Sequence, residues 1–95
     1  MDRTLSLIGL AYRAHKAYLG QQCLENMKDI RFLFIASDAS AKTRERYLKK
    51  CHYYHIDSCS DYDSIALSKA LGKRNIRIVG ISDEGFRKTI VTSLN

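Results

Sequence analysis

The sequence predicts a three-layer α/β/α sandwich built around four strands. Helical and strand-like hydrophobic periodicities alternate along the whole chain, the signature of a sheet covered by helices. Phe32-Leu33-Phe34-Ile35-Ala36 is also an unbroken apolar run of strand length. A run without alternation suits a central strand buried on both faces. Finally, the length of 95 residues supplies one hydrophobic core, since domains typically need about 100–150. One domain over residues 1–95 is therefore expected.

The elements follow in order. Residues 4–16 place Leu7, Leu10, Ala11 and Ala14 at helical spacing, with Arg13 and Lys16 largely off that stripe. Ala17-Tyr18-Leu19 is a short extended piece that stops at Gly20. Gln21 to Lys28 reads as a short helix with Cys23, Leu24 and Met27 inward. After the strand at 32–36, Ser37-Asp38-Ala39-Ser40 offers turn residues and an N-cap. A helix from Ala41 to about residue 53 follows, its inward face given by Tyr47, Leu48, Cys51 and Tyr54.

His55-Ile56-Asp57-Ser58 is a short strand with little patterning. Ser60 or Asp61 caps a helix running to Leu71, and Gly72 is a natural residue to end it. Ile76 to Ile81 is β-branched and strand-like. Asp83 caps a last helix whose Phe86, Ile90 and Leu94 share one ridge. The pattern leaves strand order open.

Composition excludes several classes. The apolar share is 45% and the charged share 27%, an ordinary globular balance and not that of a disordered chain. No run approaches the ~18–20 apolar residues that span a bilayer. The N-terminus does not read as a signal peptide. Three cysteines, Cys23, Cys51 and Cys59, are an odd number best read as reduced thiols. A soluble, cytoplasmic protein with no membrane partner is the expectation.

Catalytic signatures are missing from the sequence: no GxxxxGK[ST], GxGxxG, GxSxG or HExxH occurs. No enzyme, no small-molecule substrate and no cofactor is expected. Asp83 is explained by capping, whereas Asp38, just past the central strand, sits where α/β proteins place functional groups. Cys51, His52, His55 and Cys59 are the densest chelating set. Cys51 falls on the apolar stripe of its helix, however, and His55 and Cys59 would lie about 10 Å or more apart in a strand. No metal is expected. His15 is placed by a helix C-terminus.

Charge is more informative. Sixteen Lys and Arg face ten Asp and Glu, giving +6 and a pI near 9.4. Residues 41–50 hold five cations against one acid, residues 73–95 five against two, and residues 51–72 one against three. Lys42, Arg46, Lys49 and Lys50 form a ridge that reads first as a solvated helix face. Lys73, Arg74 and Arg77 crowd a turn, where a phosphate partner would relieve their repulsion. Of six tyrosines, Tyr47 and Tyr54 fall on the core face, so base stacking is the minority reading for those two.

Three segments together resemble a known group. The segments "LIGLAYRAHKAYLGQQ", "FLFIASDAS" and "LSKALGKRNIRIVGISDEGF", in this order and spacing, are similar to YlxQ-type bacterial proteins of the kink-turn-binding ribosomal protein superfamily. The resemblance spans about residues 5–91 and implies a four-stranded mixed sheet. It also implies binding of structured RNA, such as a kink-turn with its tandem G·A pairs and extruded nucleotide, in association with the ribosome. The protein would act as a monomer.

The same resemblance implies an RNA contact at the helix start Gly20-Gln21-Gln22, with Asn26 and Lys28 further along. The second contact would be the loop Gly72-Lys73-Arg74-Asn75-Ile76 with Arg77; Asp38, in the loop just past the central strand, is counted with the candidate RNA-binding residues. The sequence departs from the family at Cys23 and Asn26. It also departs at Ala66-Leu67-Ser68, where Glu-Leu-Gly is usual, and in the cationic loop, where the family has apolar cover for the extruded base. These departures keep open an alternative, a protein-interaction or scaffold module of the same fold without specific RNA binding.

Overall fold

The computed structural model describes residues 2–95. Five α-helices and four strands alternate: α1 (Arg3–Arg13), β1 (Ala17–Leu19), α2 (Gln22–Glu25), a 3-10 turn (Met27–Asp29), β2 (Phe32–Ile35), α3 (Ala41–Tyr54), β3 (Asp57–Cys59), α4 (Ser64–Leu71), β4 (Ile78–Ile81) and α5 (Glu84–Leu94). The sheet order is β1-β4-β2-β3. β4 runs antiparallel to both β1 and β2, while β2 and β3 are parallel. The sheet is therefore mixed, as the resemblance implied.

The apolar run explains the centre. Every residue of β2 and β4 is buried, and these two strands sit inside the sheet between the short edges β1 and β3. Helices α1, α4 and α5 pack together on one face, with α1 in the middle. On the other face α2 lies against β1 and β4, and α3 against β2 and β3. Phe34, Ile8, Leu33, Ile35, Leu67, Ile81 and Ile90 are the largest fully buried side chains and fill both interlayer spaces.

The first helix buries a different stripe from the expected one. Thr4, Ile8, Gly9 and Ala11 are buried, whereas Leu10 is 48% exposed and Ala14 lies beyond the helix at its C-cap. Thr4 enters the core because its hydroxyl pairs with Ser93 at 2.5 Å. Gly9 is there for space: a Cβ would stand 2.6 Å from the Ala70 carbonyl oxygen, so α1 and α4 touch backbone to backbone. The helix begins under the Asp2 cap, whose carboxylate accepts from the N–H groups of Thr4 and Leu5.

Other boundaries shift for capping reasons. Asp63, not Ser60 or Asp61, caps α4 by accepting from Ala66 N–H at 2.8 Å. His55 closes α3 in the left-handed conformation, so the third strand starts at Asp57. The residues from Gln21 to Lys28 split into a four-residue helix and the 3-10 turn, while Ile76 and Arg77 precede β4. On α3 only Tyr47 and Cys51 are buried and Leu48 is 44% exposed, because the helix rests on a narrow seam. Gly72 ends α4 in the left-handed conformation and Asp83 caps α5, both as expected.

Candidate nucleic-acid interface

Topology brings the separated segments together. Because β4 is antiparallel to β1 and β2, its start meets the ends of both strands. Gly20 N–H donates to the Ile78 carbonyl at 2.9 Å, and Ala36 N–H donates to the Arg77 carbonyl at 2.8 Å. The glycine turn, the residues after the central strand and the exit of the cationic loop thus share one end of the sheet.

Gly20 sits at φ +56 with its carbonyl accepting from Cys23 N–H and from the Tyr47 hydroxyl. A side chain would be strained in that conformation. Gln21 and Gln22 follow with both side chains exposed. Asn26 turns back, its amide donating to the Gln22 carbonyl at 2.8 Å, and so closes the short helix. Lys28 lies elsewhere. It borders a groove with Tyr54, His55, Asp57, Glu84 and Arg87, at the end of the sheet where β2 and β3 begin.

The cationic loop is fixed at both ends. Gly72 and Asn75 take left-handed backbone conformations, with φ of 67 and 58. Lys73 N–H donates to the Ser68 carbonyl, and the Ser68 hydroxyl accepts from Ile76 N–H at 2.9 Å. Lys73, Arg74, Asn75 and Arg77 are exposed and Ile76 is half-buried. Among the described residues the one ion pair is Arg87–Glu84, so none of these cations is neutralised by a carboxylate.

Tyr12, one of the tyrosines that could stack on bases, connects the two expected RNA-facing segments, a placement the sequence does not mark. The Lys73 Nζ stands 5.6 Å from its ring centroid, a cation–π distance. The same tyrosine lines a groove of about 400 Å³ with Arg13, Tyr18 and Gln22. On the other side, Lys73, Arg74 and Asn75 border a groove of about 340 Å³ with Ser64, Ile65 and Ser68. Ile65 is 75% exposed there. Beside the cationic and amide groups of the loop, whose own Ile76 is half-buried, this residue of α4 supplies the exposed apolar side chain. No periodicity could have found it, since it lies off the helix's core stripe.

Asp38 has a structural task at this end. Its carboxylate accepts from the Ser64 hydroxyl at 2.6 Å and from Ser64 N–H at 2.8 Å. These two bonds, the hydroxyl first, hold its carboxyl below the usual carboxylate value, with a small contribution from Arg77 nearby. Asp38 therefore pins the start of α4, which carries the cationic loop at its far end.

The chelating set does not assemble. Cys51 is buried in the core while His52 and His55 point to solvent, and among the described residues no group of three or more His, Cys, Asp or Glu side chains is placed to hold a metal. Burial pushes the Cys23 thiol up to about 12 and the Cys51 thiol up to about 11, so neither is a nucleophile at neutral pH. Among the described residues no helix is long and apolar enough to cross a membrane.

Fold and corner together define a small α/β/α sandwich that presents a glycine turn and a cationic loop side by side. The same fold occurs in a Giardia lamblia 15.5kD RNA binding protein, with a TM-score of 0.77, 15% identity, and coverage of 95% of this chain and 80% of that one. A Bacillus halodurans C protein of unknown function matches more closely, with a TM-score of 0.89, 28% identity, and coverage of 99% and 98%. No family model matches the chain. An Enterococcus faecium protein named RNA-binding protein YlxQ is 32% identical over 92 residues, covering 92% of this chain and 86% of its own. Its Bacillus subtilis (strain 168) namesake is 29% identical over 94 residues, covering 94% and 92%. The chain belongs to the YlxQ family.

Proposed function

We propose that this protein binds structured RNA through the corner formed by the glycine turn and the cationic loop. The observation that carries the reading is the Gly20–Ile78 hydrogen bond, which makes residues 20–22 and 73–77 neighbours although more than fifty residues separate them. Unpaired Lys73, Arg74 and Arg77 supply phosphate contacts, which give affinity without reading sequence. Gln22 supplies an amide able to donate and accept at purine edges. Tyr12 and Ile65 offer flat and apolar surface to an unstacked base.

The bound element is a kink-turn or a similarly bent RNA, and the host is the ribosome or a particle on the way to it. The relatives' names speak for RNA in general; the bent element and its ribosomal host rest on the sequence resemblance and on a corner that brings two separate segments together for one partner. Asp38 belongs to the site by holding α4, not by touching RNA. Asn26 acts through its bond to Gln22, and Lys28 has no part in this corner. The protein acts as a cytoplasmic monomer without a cofactor.

The test is a salt titration. Lys73→Ala with Arg74→Ala is expected to weaken binding of a kink-turn duplex and to reduce the slope of log K against log salt by about 2, roughly 0.9 for each phosphate no longer neutralised. An unchanged slope would remove both residues from the interface.

A further inference from the structure

We infer that α3 carries a second RNA track, on which a single strand leaving the corner runs along the outside of the sandwich. The inference rests on the RNA reading above. Lys42, Arg46, Lys49, Lys50 and Tyr53, joined by Tyr54 and the single acid Glu45, border one surface groove of about 690 Å³ along this helix. At 100° per residue, the four cations and Tyr53 fall within about a third of the helix circumference, centred opposite the buried Cys51. Tyr53 is 74% exposed in the middle of that arc, and its ring centroid lies 4.9 Å from that of Tyr54 with the two rings nearly perpendicular.

Three observations point to a nucleic-acid strand as the occupant. The first is charge: α3 carries five cations and one acid, and among the described residues none of the cations is in an ion pair. Lys42–Arg46 and Arg46–Lys50 are like charges at i,i+4, which destabilise a helix in isolation. A polyanion on this face removes that repulsion. The second is the aromatic among the cations, since base stacking on an exposed ring flanked by phosphate contacts is how single strands are held without sequence preference.

The third is continuity with the corner. Ser40 caps α3 two residues after Asp38, and Tyr47 donates its hydroxyl to the Gly20 carbonyl at 3.4 Å. The helix thus starts at the corner and ends at Tyr54, beside the groove at the other end of the sheet. From residue 42 to residue 53 the track extends about 16 Å. The glycine turn and α3 lie on the same face of the sheet, so a strand departing Gly20–Gln22 has α3 beside it.

The experiment compares a blunt kink-turn duplex with the same duplex bearing single-stranded uridine tails of about ten nucleotides. Tails are expected to raise wild-type affinity about fivefold or more, the size of one base stack. They should also steepen the salt dependence by roughly 0.7 per added phosphate contact. Lys42→Ala/Arg46→Ala/Lys49→Ala/Lys50→Ala, which places the best helix former at exposed positions, should return the tailed slope to the blunt value. Tyr53→Ala should lose the fivefold gain while keeping most of the slope. Neither variant should alter blunt binding.

Equal affinity for tailed and blunt RNA overturns the track even where blunt RNA binds tightly. A gain from tails that survives all four alanines overturns it as well, as does ridge-dependent binding to phosphatidylserine vesicles with no gain from tails. If instead the corner is wrong, blunt binding will be insensitive to Lys73→Ala with Arg74→Ala while the tail effect persists. The two readings therefore fail separately.

Discussion

The Ser68 hydroxyl accepts a hydrogen bond from the backbone N–H of Ile76 at 2.9 Å, joining the middle of α4 to the exit of the cationic loop. Ser68 is buried and occupies the position where the family's usual glycine has no side chain to offer. The departure that weakened the resemblance in sequence is thus a latch in structure. It holds a loop whose three cations would otherwise push it open.

Removing the latch leaves the Ile76 N–H without its partner. Ser68→Ala is expected to cost about 1–3 kcal/mol in denaturant unfolding, the range for a stranded polar group. Hydrogen exchange at the Ile76 amide should speed up in the folded state, and RNA affinity should fall even though Ser68 need not touch RNA.

Gly9→Ala tests the contact between α1 and α4. The new methyl would meet the Ala70 carbonyl at 2.6 Å, and backbone cannot swing aside as a side-chain tip can. A loss of about 1–3 kcal/mol follows from overpacking. The denaturation midpoint should drop with little change in slope. Since α4 also carries the cationic loop, affinity for RNA should decline alongside stability.

Much of this fold was legible in the sequence, for identifiable reasons. Phe32–Ile35 is buried at every position, so its unbroken apolar run announced a central strand. Gly72 and Asp83 end and start helices by local chemistry that the sequence displays directly. Thr4 and Gly9 were illegible because a hydroxyl paired across 89 positions and a glycine chosen for space both lack hydrophobic signal. Leu10 and Leu48 misled for the converse reason: each is apolar at helical spacing, but no neighbouring layer reaches it. At the corner, charge marked Lys73 to Arg77, while Tyr12 joined through a cation–π contact that only the packing of α1 on α4 creates.

Asp38 gives the fold a pH dependence of known sign. Its folded pKa lies below the ordinary 3.8, so its stabilising bonds to Ser64 are present above that value and lost as pH falls through the lower one. Asp38→Asn should lower the melting temperature near neutral pH, with the gap to wild type shrinking below about pH 4. A gap that stayed constant into acid would show that the carboxylate charge is not what pins α4.

The thiols should separate by position. Burial raises all three, with Cys23 at about 12, Cys51 at about 11 and Cys59 raised less. Only Cys59 is not fully buried. Iodoacetamide at about pH 8 is expected to modify Cys59 first and to reach Cys23 and Cys51 only on unfolding. Because the buried thiols favour the neutral form, stability contributed below the ordinary 9.0 is lost as pH rises toward their folded values. Peptide mapping of the modified protein reads the order directly.

If one corner of the sandwich grips bent RNA, a single titration will show it. A kink-turn duplex and a straight duplex of equal length are measured against wild-type protein at the same salt. Tighter binding of the kinked RNA is expected, by about tenfold or more, with the preference erased by Gly20→Val, which strains the turn that aligns Gln22 with the loop. Equal affinity for the two duplexes would contradict it, leaving only the attraction of a basic surface for any polyanion.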